Sequence, residues 1–263
     1  MSRIKDININ SDSKVINSSR EILHKGKKNK AVLLLHGYTG SPREMAFLAK
    51  RVHQESNYTV YVPRLPGHGT NKRDFQQSTA KDWLRKSYDA YLNLKSYYNE
   101  VHIGGLSMGG LLAILTANRF KVEKLFLIAP ALYACNKSLA LTHLFKYFIP
   151  YLKNKSNKNE YQTEEELDLY ENYWKHHCTK QAAELHKLMI LARKKLTSIT
   201  SDALIICSPI DKQVPIKAAY KVEEKISSTN KKLILMENSP HVINNGPEKE
   251  ECAQHVIDFL NEV

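Results

Sequence analysis

Short runs of consecutive apolar residues alternate along this chain with longer segments in which apolar residues recur every three or four positions. The runs Ala31–Leu35 and Ala203–Cys207 are each five residues long and precede turn-forming residues, which is typical of strands buried on both faces. The longer segments are typical of helices with one buried face. Because strands and helices alternate, the pattern predicts an α/β fold in which helices cover both faces of a mostly parallel sheet.

The same pattern predicts where most elements begin and end. Ser41, the proline after it and Glu44 together resemble the start of a helix, with an N-cap, a proline in the first turn and a capping acid. The predicted strands cover residues 20–24, 31–35, 58–62, 101–104, 124–130, 203–207 and 232–236. The predicted helices cover residues 42–56, 79–98, a segment that begins at 108, then 164–177, 180–196, 215–227 and 247 onward.

The alternation stops for about fifty residues after the strand that ends at Pro130. Residues 138–152 are apolar and aromatic, residues 153–160 are rich in Lys and Asn, and an acidic helix is predicted from Glu164. Insertions between strands of such a sheet lie over the edge where ligands bind. We therefore predict a polar N-terminal tail over residues 1–19 and an α/β domain over residues 20–263, with a cap inserted at about 133–178.

The apolar part of this predicted cap has two explanations. On an amphipathic helix its large side chains form a wall that accommodates an alkyl chain. The same face could instead pack as subdomain core, or lie on a membrane surface with Lys146, Lys153 and Lys155 toward acidic headgroups. The residues of this wall are Leu139, Leu141, Leu144, Phe145, Phe148, Ile149 and Leu152.

Composition narrows the class of protein. Hydrophobic residues make up 42% and charged residues 25% of the 263 positions, which is typical of a globular chain, and no apolar run reaches the ~20 residues of a membrane span. The net charge of +12 permits weak contact with an anionic membrane surface, but the lysines form no nucleic-acid motif, so we expect no nucleic-acid partner. The N-terminus lacks a signal-peptide core, which favours a cytoplasmic location. The four cysteines lack metal-site spacing, and we predict neither metal nor cofactor.

The stretch around Ser107 carries the strongest chemical signal. A short strand pattern ends just before Gly105-Leu106-Ser107-Met108-Gly109, and an apolar helical pattern begins just after it. Glycines on both sides of a serine on a strand–turn–helix element allow a sharp turn that exposes the hydroxyl. We therefore predict that Ser107 is a nucleophile.

A seryl nucleophile needs a base, an acid that orients the base, and donors for the oxyanion. Asp211 lies four residues past one buried strand and His241 five residues past the next, so both are expected at the edge of the sheet that carries Ser107. The order Ser, Asp, His is that of the α/β-hydrolase arrangement, in which the backbone N–H groups of Tyr38 and Met108 would bind the oxyanion.

Taken singly, these residues also have ordinary structural explanations. Asp211 could simply form a turn, and His241 could be an unremarkable loop histidine. His68 lies among glycines in a turn, which favours a structural role, and Asp202 precedes its strand and is expected at the opposite edge. The combination with the serine turn favours the catalytic interpretation.

Together these motifs resemble the α/β-hydrolase superfamily, and within it the bacterial carboxylesterase and monoacylglycerol lipase group, over residues 20–263. The resemblance implies a cofactor-free serine esterase with a small lid, in which the residue after His-Gly, here Tyr38, donates the first oxyanion N–H. No position of the cap matches a glycerol contact of that group. The matching motifs are His36-Gly37-Tyr38-Thr39-Gly40, Pro63-Arg64-Leu65, Gly67-His68-Gly69-Thr70, Gly105 to Gly110, Asp211 with Val214-Pro215, and His241-Val242.

The predicted function is therefore a serine carboxylic ester hydrolase that forms an acyl-enzyme from short- to medium-chain acyl esters, with monoacylglycerols as candidate substrates. The partner is a small-molecule acyl ester. A thioesterase or an acyltransferase would use the same residues. A non-catalytic ligand-binding protein of the same fold is the alternative from another functional class.

Overall fold

A seven-stranded sheet carries the candidate site in the computed structural model, which describes Ile7, Ile9, Ser11 and residues 13–145, 149–153 and 176–262. The strands are β1 Ile22–His24, β2 Lys30–Leu35, β3 Thr59–Val62, β4 Glu100–Leu106, β5 Lys124–Ile128, β6 Tyr151–Lys153, β7 His176–Cys178, β8 Asp202–Cys207 and β9 Lys231–Leu235. The strand order of the sheet is β1-β3-β2-β4-β5-β8-β9, and every pair is parallel except β1 with β3. Two further strands, β6 and β7, pair antiparallel outside this sheet.

Helices cover both faces of the sheet, as the pattern predicts. The helices are α1 Ala46–Ser56, α2 Lys72–Gln77, α3 Ala80–Tyr97, α4 Met108–Arg119, α5 Thr142–Phe145, α6 Thr179–Lys195, α7 Lys217–Lys225 and α8 Lys249–Asn261. Alternate residues of β2 face opposite sides of the sheet: Leu33 and Leu35 belong to the core beneath α3, α4, α6 and α7, while Val32 and Leu34 belong to the core beneath α1 and α8. The sheet is therefore buried on both sides.

The structure near the first helices differs from the sequence prediction in two ways. Residues Pro42–Met45 form a 3-10 turn before α1, and the Ser41 side chain makes no capping hydrogen bond, so the predicted cap is wrong. The short helix α2 was not predicted, because only Phe75 of its six residues is buried and one apolar contact leaves no periodic pattern. Its start is stabilised by Asn71, whose side chain accepts a hydrogen bond from the Asp74 N–H at 3.1 Å.

The end of the predicted tail packs onto the domain. Ile16 donates its N–H to the Gly69 oxygen at 3.0 Å, and Asn71 donates its side-chain amide to Ser13 at 2.7 Å. Ser19 is fully buried and lies so close to Gly69 that a Cβ there would meet the Ser19 Cβ at 2.3 Å. Residues 13–19 therefore fix the turn-rich connection that follows β3.

The cap differs from the predicted amphipathic helix. Residues Lys137–Leu141 form a 3-10 turn, followed by the single turn of α5 and by β6. Of the wall residues whose side chains the structure describes, only Leu139 packs against the core, and the described part of the acidic helix, His176–His177, lies in strand β7. Exposed side chains belong to Leu141, Leu144, Phe145 and Ile149, while the side chains of Lys146, Phe148, Leu152, Lys153 and Lys155 and residues 164–175 lie outside the described residues.

The described helices include none with both the length and the apolarity that a bilayer crossing requires.

Candidate active site

Ser107 lies on the sharp turn between β4 and α4. Its φ of +56° falls in the left-handed region, and its N–H donates to the Ile128 oxygen at 2.9 Å. A Cβ on Gly105 would lie 2.2 Å from the Gly109 carbonyl carbon, and a Cβ on Gly109 would lie 2.0 Å from the Leu35 oxygen. The turn therefore has room only for glycine at these two positions, and it holds Ser107 in a strained conformation at the carboxyl edge of the sheet.

Asp211 and His241 meet at the same edge, in the loops after β8 and β9. His241 Nδ1 lies 2.6 Å from Asp211 Oδ2, while Asp211 Oδ1 accepts hydrogen bonds from the N–H groups of Gln213 at 2.7 Å and Val214 at 3.0 Å. Burial opposes ionisation of Asp211, but the hydrogen bond and charge of His241, together with the two N–H groups, hold the pKa of its carboxyl below the ordinary value. An ionised Asp211 accepts the Nδ1–H of His241, which leaves Nε2 as the basic nitrogen.

The loop after β2 presents the Tyr38 N–H. The Gly37 oxygen accepts hydrogen bonds from His36 Nδ1 at 3.0 Å and from the Gly40 N–H at 3.2 Å. His36 Nε2 in turn accepts the Leu65 N–H at 3.1 Å, so the proton of the neutral ring is on Nδ1. Because the Gly37 oxygen and the Tyr38 N–H belong to one trans peptide plane, fixing the oxygen turns this N–H the opposite way.

Ser107, His241 and the loop after β2 line one pocket. It encloses about 340 Å³, near the lower end of the usual range for small-ligand sites. Ser107, His241, Tyr38 and Gly37 form its polar wall. The side chains of the cap and of α6 complete it, and they include Tyr133, Ala134, Leu139, His177, Leu185 and Met189.

Glu44 is a pocket residue that the sequence did not point to. This residue, interpreted above as a capping acid, lines the pocket and accepts the Gly37 N–H on Oε2 at 2.9 Å. Burial raises the pKa of its carboxyl to about 7. Nothing in the sequence distinguishes a pocket acid from a capping acid here, except that Glu44 follows His36-Gly37 closely.

The other candidates, His68 and Asp202, do not line this pocket. His68 is buried against Phe75 and Trp83, at ring-centroid distances of 5.0 and 5.5 Å, and its Nδ1 lies 3.0 Å from the Pro66 oxygen, as its structural interpretation predicts. Asp202 begins β8 at the opposite edge of the sheet, where it accepts a hydrogen bond from Asn230 at 3.0 Å. Within the described residues, no group of three His, Cys, Asp or Glu side chains could hold a metal ion.

Comparison with known sequences places the chain in a family. The profile of the family described as serine aminopeptidase, S33, matches residues 26–248. The chain is 32% identical over 215 residues to a thermostable monoacylglycerol lipase of Bacillus sp. (strain H-257), with 80% of this chain and 82% of that protein covered. It is 26% identical over 236 residues to a carboxylesterase of Bacillus subtilis (strain 168), with 89% and 94% covered.

Solved structures show the same fold. A structure described under LipS and LipT, two metagenome-derived lipolytic enzymes, superposes with a TM-score of 0.84 at 29% identity, covering 94% of this chain and 99% of that one. A monoacylglycerol lipase of Paleococcus ferrophilus superposes with a TM-score of 0.74 at 19% identity, covering 91% and 97%. The chain thus belongs to the serine aminopeptidase S33 family of the α/β-hydrolase superfamily, in its group of carboxylesterases and monoacylglycerol lipases, which are ester hydrolases.

Proposed function

We propose that the protein is a carboxylic ester hydrolase in which Ser107, His241 and Asp211 form a catalytic triad and Tyr38 and Met108 form the oxyanion hole. The observation that carries this proposal is the 2.6 Å contact between His241 and Asp211 in the loops beside the strained serine turn, with Ser107 and His241 lining one pocket. This is the combination of nucleophile, base and orienting acid that acyl transfer requires.

In the proposed reaction, Ser107 Oγ attacks the ester carbonyl carbon while His241 Nε2 takes the hydroxyl proton. The carbonyl oxygen becomes an oxyanion that accepts hydrogen bonds from the Tyr38 and Met108 N–H groups, and the position of Met108 at the start of α4 favours negative charge. The C–O bond to the alcohol then breaks, and the alcohol leaves with the proton from His241. Water attacks the acyl-enzyme by the same steps, which releases the carboxylic acid and regenerates Ser107.

The pocket supports a substrate with one acyl chain of short to medium length. Leu139, Leu185 and Met189 give it an apolar wall, and each buried methylene adds about 0.8 kcal/mol of binding free energy until the space is filled. A volume of about 340 Å³ favours one chain over the two or three of a phospholipid or triacylglycerol. The names of the two Bacillus relatives support carboxylic esters, with monoacylglycerols among the candidates.

This pocket predicts a dependence of kcat/KM on chain length. We expect kcat/KM to rise from acetyl to mid-length acyl p-nitrophenyl esters and then fall, with monoacylglycerols hydrolysed and triacylglycerols poor. Acyl thioesters and added acceptor alcohols belong in the same assay, because a thioesterase or an acyltransferase would use the same triad. Faster hydrolysis of thioesters than of oxygen esters, or faster acyl transfer to an alcohol than to water, would contradict the proposed reaction.

The central test is Ser107→Ala. We expect the variant to fold normally and to lose about 10⁴-fold or more of kcat, because the nucleophile is gone while the oxyanion donors remain. A fluorophosphonate should label the wild-type protein at Ser107, which peptide mass spectrometry would locate. Ser96→Ala, at an exposed position of α3, is the matched control and should keep full activity and labelling. Unchanged labelling of Ser107→Ala would refute the assignment.

A further inference from the structure

The carboxyl group of Glu44 is built into the wall of the pocket at the loop that carries the oxyanion donor. Its Oε2 accepts the Gly37 N–H at 2.9 Å, and the Gly37 oxygen is held separately by His36 and Gly40. The backbone oxygen of Glu44 accepts a hydrogen bond from the Asn244 side chain, in the turn that follows His241. Glu44 therefore joins the loop after β2 to the segment that carries the proposed base.

The space around this carboxyl group is shaped to fit it. A Cβ added to Gly40 would lie 2.1 Å from Glu44 Oε2 and 2.3 Å from Oε1. A Cβ added to Gly37 would lie 3.2 Å from Glu44 Oε2 and 3.6 Å from the Cβ of Ser107. The carboxyl group thus packs directly on the loop backbone, and the Cβ of the proposed nucleophile lies close to the same face of Gly37.

We propose that Glu44 is a positioning residue for the oxyanion hole, which it orients by holding the Gly37 amide; this inference rests on the proposed function. The two peptide planes on either side of Gly37 share its Cα. Holding the Gly37 N–H therefore restricts the first plane, while the hydrogen bonds to the Gly37 oxygen restrict the plane that carries the Tyr38 N–H. Without Glu44 the first plane rotates more freely, and a donor that must lie within hydrogen-bond distance of the transition-state oxyanion loses its alignment.

The charge of Glu44 should affect the pH dependence of kcat/KM, which a purely structural residue would not change. Burial raises the pKa of its carboxyl to about 7, while the Gly37 hydrogen bond and the charge of His241 lower it. A carboxylate here attracts the imidazolium that His241 becomes during the reaction.

The segment Pro42–Met45 also packs against β2, α1 and the turns Asn17–Ser19 and Ile243–Asn245. The ionisable residues on these elements are Lys30, Arg43, Lys50, Arg51, His53 and Glu55, with His36 directly after β2.

The test compares Glu44→Ala and Glu44→Gln with the control Glu55→Ala, on a p-nitrophenyl ester over pH 5–9. Glu44→Ala leaves the Gly37 N–H without its acceptor and should lower kcat about tenfold, with KM changed less than twofold, because the oxyanion exists only in the transition state. Glu44→Gln keeps an acceptor and should lose only about threefold. It lacks the charge that wild-type Glu44 gains as pH rises through about 7, so the ratio of wild-type to variant kcat/KM should increase with pH across that range. Glu55 pairs with Arg51 on α1, and its substitution should change neither quantity.

A second variant tests the contact independently. Gly40→Ala places a methyl group against the Glu44 carboxyl and should displace it, which reproduces the roughly tenfold loss of kcat. In the Glu44→Ala background the space is empty, so adding Gly40→Ala should cost less than twofold. Such non-additivity is expected only if both substitutions act through the same contact.

The outcomes separate this inference from the proposed function. Wild-type protein that a fluorophosphonate does not label at Ser107 overturns both. Labelled wild-type protein whose Glu44→Ala variant is folded and keeps its kcat overturns the inference alone. If Glu44→Ala does not fold, Glu44→Gln decides: a ratio of wild-type to Glu44→Gln kcat/KM that stays constant with pH overturns the proposed role, and the predicted increase through about pH 7 supports it.

Discussion

At the scale of single residues, backbone groups hold Ser107 and Asp211 in place. Ser107 is held at φ +56° by glycines that alone fit its turn, and Asp211 is oriented by two backbone N–H groups before it reaches His241. Each of these contacts restricts one rotatable group. If these residues act as proposed, the serine turn and the Asp211–His241 pair are positioned before substrate binds, as electrostatic catalysis requires.

The role of Asp211 is tested by Asp211→Asn, with Asp202→Asn as the matched control at the other end of β8. We expect Asp211→Asn to lower kcat by about 10³–10⁴-fold, because an amide neither stabilises the imidazolium nor selects the Nδ1–H tautomer of His241. His241→Ala should cost at least as much. Asp202→Asn should leave kcat within twofold, since Asp202 bonds to Asn230 away from the pocket. Greater damage from Asp202→Asn would contradict the assignment of the sheet edge.

At the scale of elements, the predicted cap and α6 supply the apolar side of the pocket. The cap contributes Leu139 to the pocket, α6 contributes Leu185 and Met189, and a contact of 2.9 Å between His143 Nε2 and His186 Nδ1 joins α5 to α6. Leu141, Leu144, Phe145 and Ile149 instead face solvent, with Leu144 67% exposed. Among the wall residues whose side chains the structure describes, Leu139 alone lines the pocket.

The cap provides a matched pair of variants, Leu139→Ala and Leu144→Ala. Removing the Leu139 side chain enlarges the pocket, so the acyl chain length with the highest kcat/KM should increase by about two carbons. Leu144→Ala should keep the wild-type preference, and it should weaken binding to anionic liposomes if this face contacts a membrane. The measurement is a series of p-nitrophenyl esters together with liposome co-sedimentation. A shift in chain preference with Leu144→Ala but not with Leu139→Ala would contradict this account of the pocket.

At the scale of the whole molecule, burial of histidines makes stability depend on pH. Burial lowers the pKa of His36 and His102 to about 4 and that of His68 well below the ordinary value, so all three are neutral in the folded protein near neutrality. In the unfolded chain they bind protons below about pH 6.5. Because the unfolded state then binds more protons, the free energy of unfolding falls as pH decreases from about 6.5 toward 4. Each histidine with a pKa of about 4 accounts for roughly 3 kcal/mol of this loss at pH 4.

His102 is the most suitable of these for a test, because it lies in β4 away from the pocket. It is 1% exposed, and among the described residues neither ring nitrogen has a hydrogen-bond partner. We expect His102→Leu to raise the melting temperature more at pH 5 than at pH 8, since leucine fills similar space and binds no proton. Thermal unfolding at the two pH values would measure this, with His255→Leu on α8 as the control. An equal change at both pH values would contradict the proposed linkage.

The order of the seven sheet strands and of helices α1, α3, α4, α6, α7 and α8 could be predicted from the sequence, because each of these elements carries its own periodicity, and the places of Ser107, Asp211 and His241 followed from the ends of predicted strands. The elements α2, α5, β6 and β7 could not. The proposed contributions of Glu44, Leu185 and Met189 to the pocket depend on the tertiary structure. These residues come from a turn and from the face of a helix, and the same residue types serve equally well as a cap or as core. Which of them face the pocket depends on how the loops pack at the edge of the sheet, through contacts such as that between Asn244 and Glu44. These two residues are 200 positions apart, and no local sequence pattern encodes such a contact.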